Sequence, residues 1–200
     1  MVAGLHKALA EWGSFHVESG TNVAALLAGP PFPGHRDDSE GTVVINLGDD
    51  VGRVMNATRG NSVSALVALI SEPIEASPPV VAVGLHGFSS HSTPDGSFPL
   101  SLVDDWGIDD VMAAAFDSIP GEISKIALLV DLAVLDPAFE PRSKRSRPGG
   151  LDTRRLGRAA YVAGRHQRVS RVGLVASAPD APVANLAHVT LSFCAGLAAR

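Results

Sequence analysis

Ile126-Ala127-Leu128-Leu129-Val130-Asp131-Leu132-Ala133-Val134-Leu135-Asp136-Pro137-Ala138-Phe139-Glu140-Pro141 is the stretch on which the fold turns. Its first part, Ile126–Leu132, is apolar on both faces of an extended chain apart from Asp131 near its end. That pattern predicts a strand buried on both sides, as in a parallel sheet covered by helices. Pro137 and Pro141 bar a regular continuation, because proline lacks the amide that a ladder or helix needs. A loop rich in Pro and Arg follows and closes on Gly149-Gly150-Leu151. Asp152 or Thr153 can then N-cap a helix running to about Arg168, since a side-chain oxygen there satisfies an orphan backbone amide.

The same alternation extends in both directions. Thr42–Leu47 is a short β-branched run ended by Gly48-Asp49-Asp50, and Val54–Ala57 is a weaker strand candidate. Asn61 or Ser62 can cap a helix through Ile70. Pro78-Pro79 introduces the strand Val80–Val83, which ends at Gly84 and gives way to a Ser/Pro/Gly/Asp loop reaching about Leu100. Ile108–Phe116 reads as a helix opened by Asp109 or Asp110. Val172–Ala176 reads as another buried strand and Val183–Ala199 as the closing helix. Residues 1–40 form an irregular N-terminal segment: Val23–Ala28 could be helical, but Gly29-Pro30-Pro31-Phe32-Pro33-Gly34 interrupts it. Strands and helices in turn predict one α/β domain over 1–200, with a mainly parallel sheet between two helical layers. No internal repeat, dinucleotide-binding glycine pattern or phosphate-binding loop is present.

Composition narrows the function classes. With 46% apolar residues and only 5% aromatic, the core must be aliphatic. No run reaches the roughly eighteen apolar residues of a membrane helix, and His6 and Lys7 interrupt the opening segment, so a secretory signal and a membrane partner are not expected. The single Cys194 excludes an internal disulfide. A cytoplasmic protein is the simplest reading. Residues 1–140 carry 5 basic and 19 acidic side chains, whereas residues 141–200 carry 11 basic and 2 acidic. The simplest reading is that the two halves neutralise each other across one fold.

Parallel α/β sheets hold their sites at the carboxyl ends of the strands, and three such ends carry a resemblance. Val130–Pro141 followed by Gly149-Gly150-Leu151 resembles the Asp-x-Asp-x-x-Asp-Pro-x-x-x-Pro and Gly-Gly-Leu of the arginase/agmatinase/formiminoglutamase (ureohydrolase) family. Gly84-Leu85-His86-Gly87-Phe88, then Ser92-Thr93-Pro94-Asp95-Gly96-Ser97-Phe98-Pro99-Leu100, resembles its Asp-Ala-His-x-Asp strand end and the loop beyond. Thr58-Arg59-Gly60-Asn61-Ser62-Val63 resembles, more weakly, Gly-Gly-Asp-His-Ser-Ile before a helix. The likeness runs over about residues 42–195. It implies an arginase-like three-layer α/β/α sandwich, N-terminally shortened.

The resemblance also implies a chemistry and shows where this chain departs from it. In the family two divalent cations, usually manganese, activate a bridging water that attacks a guanidinium carbon. Two dications at one edge need several carboxylates and imidazoles, and the family supplies four aspartates and two histidines. Here those positions read Asn61 (or Ser62 with a one-residue shift), Gly84, His86, Phe88, Asp131 and Ala133. Asp136 matches an aspartate that supports the loop without binding metal. The family's histidine beyond the second motif is missing where Phe98 meets Pro99, and Ala176 stands where a substrate-binding glutamate is expected. His86 and Asp131 are the surviving metal candidates, at the ends of what should be neighbouring strands.

The remaining candidates carry less. His91 lies in a loop, and Ser89, Ser90, Ser92 and Ser101 lack a nucleophile-elbow setting. Arg142, Lys144, Arg145 and Arg147 could bind an anion through their charges, although a solvated loop is the plainer reading and no aromatic interleaving points to nucleic acid. The expected function is a catalytically inactive ureohydrolase-like protein, a structural or regulatory subunit or pocket-binding protein. It would assemble with itself or with an active paralogue and need no cofactor. The alternative is a metal-dependent hydrolase of C–N bonds in linear amidines, with manganese in a rebuilt site.

Overall fold

The computed structural model describes residues 3, 7, 15–20, 41–46, 65–71, 80–86, 96–175 and 183–200; for 15–20, 41–46, 65–66 and 170 it describes the backbone. Seven strands form one sheet: β1 (Phe15–Gly20), β2 (Gly41–Asn46), β3 (Ala65–Leu69), β4 (Val80–Leu85), β5 (Phe98–Pro99), β6 (Ile126–Asp131) and β7 (Val169–Val175). Their order is β1-β2-β7-β6-β3-β4-β5. Every pairing between them is parallel. All carboxyl ends therefore lie along one edge, which is where a parallel sheet presents its chemistry.

Side chains alternate between two buried faces. Val67, Leu69, Val81, Val83, Leu128, Val130, Val172 and Leu174 meet four helices: α1 (Leu100–Trp106), α2 (Ile108–Asp117), α3 (Thr153–Arg165) and α4 (Val183–Ala198). Ala68, Ile70, Ala82, Leu85, Ala127, Leu129 and Val175 form a second buried cluster on the other face. Burial on both faces is why β3, β4 and β6 read as unbroken aliphatic runs. Among the described residues no helix is long and apolar enough to cross a membrane.

The charged halves do meet within the fold. Arg158 of α3 grips Asp109 of α2 with two nitrogens, at 2.6 and 2.7 Å, and Arg155 reaches Asp104 of α1 at 2.7 Å. These pairs are solvent-exposed and individually weak, but their direction fits mutual neutralisation. At the amino edge Arg168 donates to the carbonyls of Phe116, Ile119, Pro120 and Ile123. It thereby ties the last turn of α2 to the loop that follows it.

Three elements differ from the sequence reading. The helix expected from Asn61 or Ser62 to Ile70 is, over 65–69, the interior strand β3. A six-residue apolar run fits either state by periodicity, and its place between two flanking strands decides for extension. Within residues 1–40, read as irregular, Phe15–Gly20 is an edge strand. Its apolar–polar alternation, Phe-His-Val-Glu, is the half-buried strand pattern. Helix α3 ends at Arg165 and not near Arg168, because β7 already starts at Val169. Val54–Ala57 and Val23–Ala28 lie outside the described residues.

Candidate functional site

The carboxyl edge is best defined at β6. Asp131 is its last residue and is fully buried. One carboxylate oxygen accepts from the amide of Ala133 at 2.9 Å, capping a single 3-10 turn over Leu132–Val134. The other faces Nη2 of Arg145 at 3.2 Å. Arg145 is largely covered, with its side chain 21% exposed, while Arg142, Lys144 and Arg147 on the same loop lie exposed. The guanidinium of Arg145 therefore points inward, onto a carboxylate, and not out towards an anion.

The loop that delivers Arg145 is held by a chain of hydrogen bonds. Asp136 accepts from the amides of Ala138 at 2.8 Å and Gly149 at 2.7 Å, which draws the two ends of the loop together. Those two donors, Ala138 first, hold the Asp136 carboxyl below the usual carboxylate range. Backbone bonds from Asp136 to Leu151 and from Leu151 to Val134, each 2.9 Å, complete the clamp. Gly150 sits so close to this junction that a Cβ would fall 2.5 Å from the amide nitrogen of Asp136. Any side chain at Gly150 is therefore sterically excluded. The Ser143 hydroxyl accepts from the amides of Arg145 and Ser146 at 3.1 and 2.9 Å, which bends the loop just ahead of the Arg145 side chain. Buried Glu140 accepts from Asn185 of α4 at 3.0 Å, tying the loop to the helical layer.

The ends of β4 and β3 are built differently. Gly84 has φ 81°, a left-handed conformation that side chains avoid, and a Cβ there would lie 3.0 Å from Cγ2 of Val134. The register of β4 against β5 is irregular around this residue. His86 follows the strand directly, and both of its ring nitrogens are buried with no hydrogen-bond partner among the described residues. Ser71, two residues past β3, is fully buried, and its hydroxyl also lacks a partner among them.

Expected neighbours are not adjacent. β3 lies between β4 and β6, so the ends carrying His86 and Asp131 stand two strand spacings, about 10 Å, apart. Ser71 is the residue that β3 brings to this edge. Reading Ala65–Ile70 as helix hid that, whereas reading the run as a strand places Ser71 there at once. Asn61, Phe88, His91 and Ala176 lie outside the described residues.

The described residues alone do not supply ligands for a pair of dications. Gly84 and Ala133 offer no side-chain donor, and the oxygens of Asp131 already serve the Ala133 amide and Arg145. Among the described residues no three His, Cys, Asp or Glu side chains gather within reach of one ion.

No protein-family model and no curated protein matches this sequence. Solved structures do. Formimidoylglutamase from Bacillus subtilis superposes over 100% of this chain and 68% of its own, at TM-score 0.62 and 16% identity. Trypanosoma cruzi formiminoglutamase, solved with manganese, covers 100% and 72% at TM-score 0.62 and 17% identity. Proclavaminate amidino hydrolase from Streptomyces clavuligerus covers 98% and 70% at TM-score 0.60 and 14% identity. This chain therefore has the arginase-like α/β fold of the ureohydrolases.

Proposed function

We propose that this protein keeps the ureohydrolase scaffold without its two-metal hydrolysis, and that it serves as a structural or regulatory subunit, or as a binding protein, assembled with itself or with an active relative. The observation that carries this reading is the donor set at the carboxyl edge. Gly84 and Ala133 replace two carboxylates, and the φ of 81° at Gly84, with Val134 pressed against it, belongs to a backbone that no longer favours a side chain there. Activating a water between two dications needs anionic oxygen that these residues cannot supply. The exposed cations Arg142, Lys144 and Arg147 near that edge are a poor match for a cationic guanidinium substrate.

One observation favours the second reading, a rebuilt metal-dependent amidine hydrolase. Both ring nitrogens of His86 are buried without a hydrogen-bond partner among the described residues, and a neutral imidazole nitrogen is a common metal ligand. The two readings part in one experiment. After manganese loading and desalting, elemental analysis should find well under one ion per chain. Urea, ammonia or formamide release from arginine, agmatine or formiminoglutamate, with manganese, nickel or zinc added, should not exceed a metal-only blank. Release that depends on both the metal and Asp131 would establish the hydrolase instead.

A further inference from the structure

We propose that the Asp131 end of β6 is a guanidinium-binding site which the chain fills with its own Arg145. Asp131 is fully buried, and a carboxylate withdrawn from water must be paired or it destabilises the fold. The Ala133 amide serves one oxygen and the guanidinium of Arg145 lies 3.2 Å from the other. Arginine suits this position because a guanidinium is planar, weakly hydrated and always charged, so it tolerates burial better than an ammonium.

The approach of Arg145 is prepared locally. Asp136 closes the loop on Ala138 and Gly149, the backbone of Glu140 and then Ser143 steps along it, and the Ser143 hydroxyl holds the amide of Arg145 itself. Arg142, Lys144 and Arg147 share the loop and stay exposed, so general attraction to an acidic neighbour does not explain why Arg145 alone is covered. The site is thus selective for a guanidinium at the position the loop fixes, and in the native chain it is shut to guanidinium ligands in solution. This rests on Asp131 being free of metal, as the proposed function has it.

The test is recovery by a small guanidinium in solution. Wild type, Arg145→Ala and the double variant Arg145→Ala/Asp131→Asn are melted with ethylguanidinium at about 20 mM, and again with equal potassium or ethylammonium chloride. Arg145→Ala should melt several degrees below wild type, and ethylguanidinium should restore more of that loss than ethylammonium does. Wild type, whose site is filled, and the double variant, whose carboxylate is gone, should respond no more to ethylguanidinium than to potassium. An Arg145→Ala that melts with wild type, fails to recover, or recovers no better than the double variant overturns the proposal. If Arg145→Ala does not fold, the cycle of Arg145→Gln, Asp131→Asn and their combination decides: the combination should lose less than the two single losses added, and additive losses overturn it. Stoichiometric manganese with recovery intact overturns the non-catalytic reading alone; no manganese and no recovery overturns this proposal alone.

Discussion

Two parts of one sheet edge have been finished in opposite ways. At the end of β6 most polar groups are tied into the fold: Asp131 accepts from the Ala133 amide and is ion-paired with Arg145, and Asp136 accepts from Ala138 and Gly149, while the buried Ser146 hydroxyl of the loop has no hydrogen-bond partner among the described residues. At the ends of β3 and β4, two strands that are direct neighbours, the Ser71 hydroxyl and both nitrogens of His86 are buried with no hydrogen-bond partner among the described residues. A hydrogen-bonded polar cluster rigidifies, whereas an unpaired buried polar group costs about 1–3 kcal/mol. The β6 side therefore behaves as structure. The polar deficit is larger on the β3–β4 side, where the Ser71 hydroxyl and both His86 nitrogens lack a partner among the described residues, and each such group calls for an explanation.

If that contrast is right, the largest response should come from the clamp. Gly150→Ala places a methyl against the backbone of Asp136, Leu135 and Val134, at 2.5–2.7 Å, with no flexible side chain to yield. A loss of about 3 kcal/mol is expected, read from the urea unfolding midpoint. A near-neutral result would mean that the loop is loosely held and that the two sides are alike.

Gly84→Asp comes next and tests whether the β4 end accepts a carboxylate. The left-handed φ and the contact with Val134 should together cost about 2 kcal/mol. No manganese binding should appear, since Ala133 and the paired Asp131 remain. A variant as stable as wild type that takes up the ion would show that the edge had lost only a side chain.

How far the sequence foretold this contrast depends on the element. β6 was legible because its aliphatic run is apolar on both faces, whereas a loop-supporting role for Asp136 followed only from the family resemblance, and its bond to Gly149 spans thirteen residues. Ser71 was not legible, since Ala65–Ile70 satisfies helix and strand patterns equally and only its neighbours β4 and β6 select the strand. The inward turn of Arg145 was hidden for a different reason. Four cations share six residues, and nothing in their spacing tells which one the Ser143 turn aims at Asp131. The separation of His86 from Asp131 by β3 is likewise a fact of sheet order, which chain order does not reveal.

Acid titration probes the clamp more gently. Asp136 is held low by the amides of Ala138 and Gly149, so the folded chain binds its proton less readily than the unfolded chain. Its stabilisation is therefore complete above the ordinary carboxyl value of about 4 and is lost as pH falls through the lower folded value. Asp136→Asn should flatten the acid limb of a stability–pH curve and leave a residual slope from Asp109, which the hydrogen bond from Arg158 depresses in the same direction. An unchanged limb would remove Asp136 from the clamp.

The smallest effect belongs to Ser71, and it is the most discriminating. A hydroxyl that is buried and unpaired among the described residues is a burden on the fold, and removing it leaves a methyl of nearly the same shape. Ser71→Ala should therefore leave the purified protein unchanged or stabilise it by up to about 1 kcal/mol. Replacing a committed polar group, by contrast, strands its partner and always costs. If Ser71→Ala instead destabilises by about 1 kcal/mol or more, the hydroxyl has a partner in solution that the chain does not itself provide. Dialysis would then identify its kind: a small ligand carried through purification is lost on exhaustive exchange, and wild type should fall to the stability of the variant. A difference that survives exchange would place the partner within the protein, and the edge would then be finished on both sides.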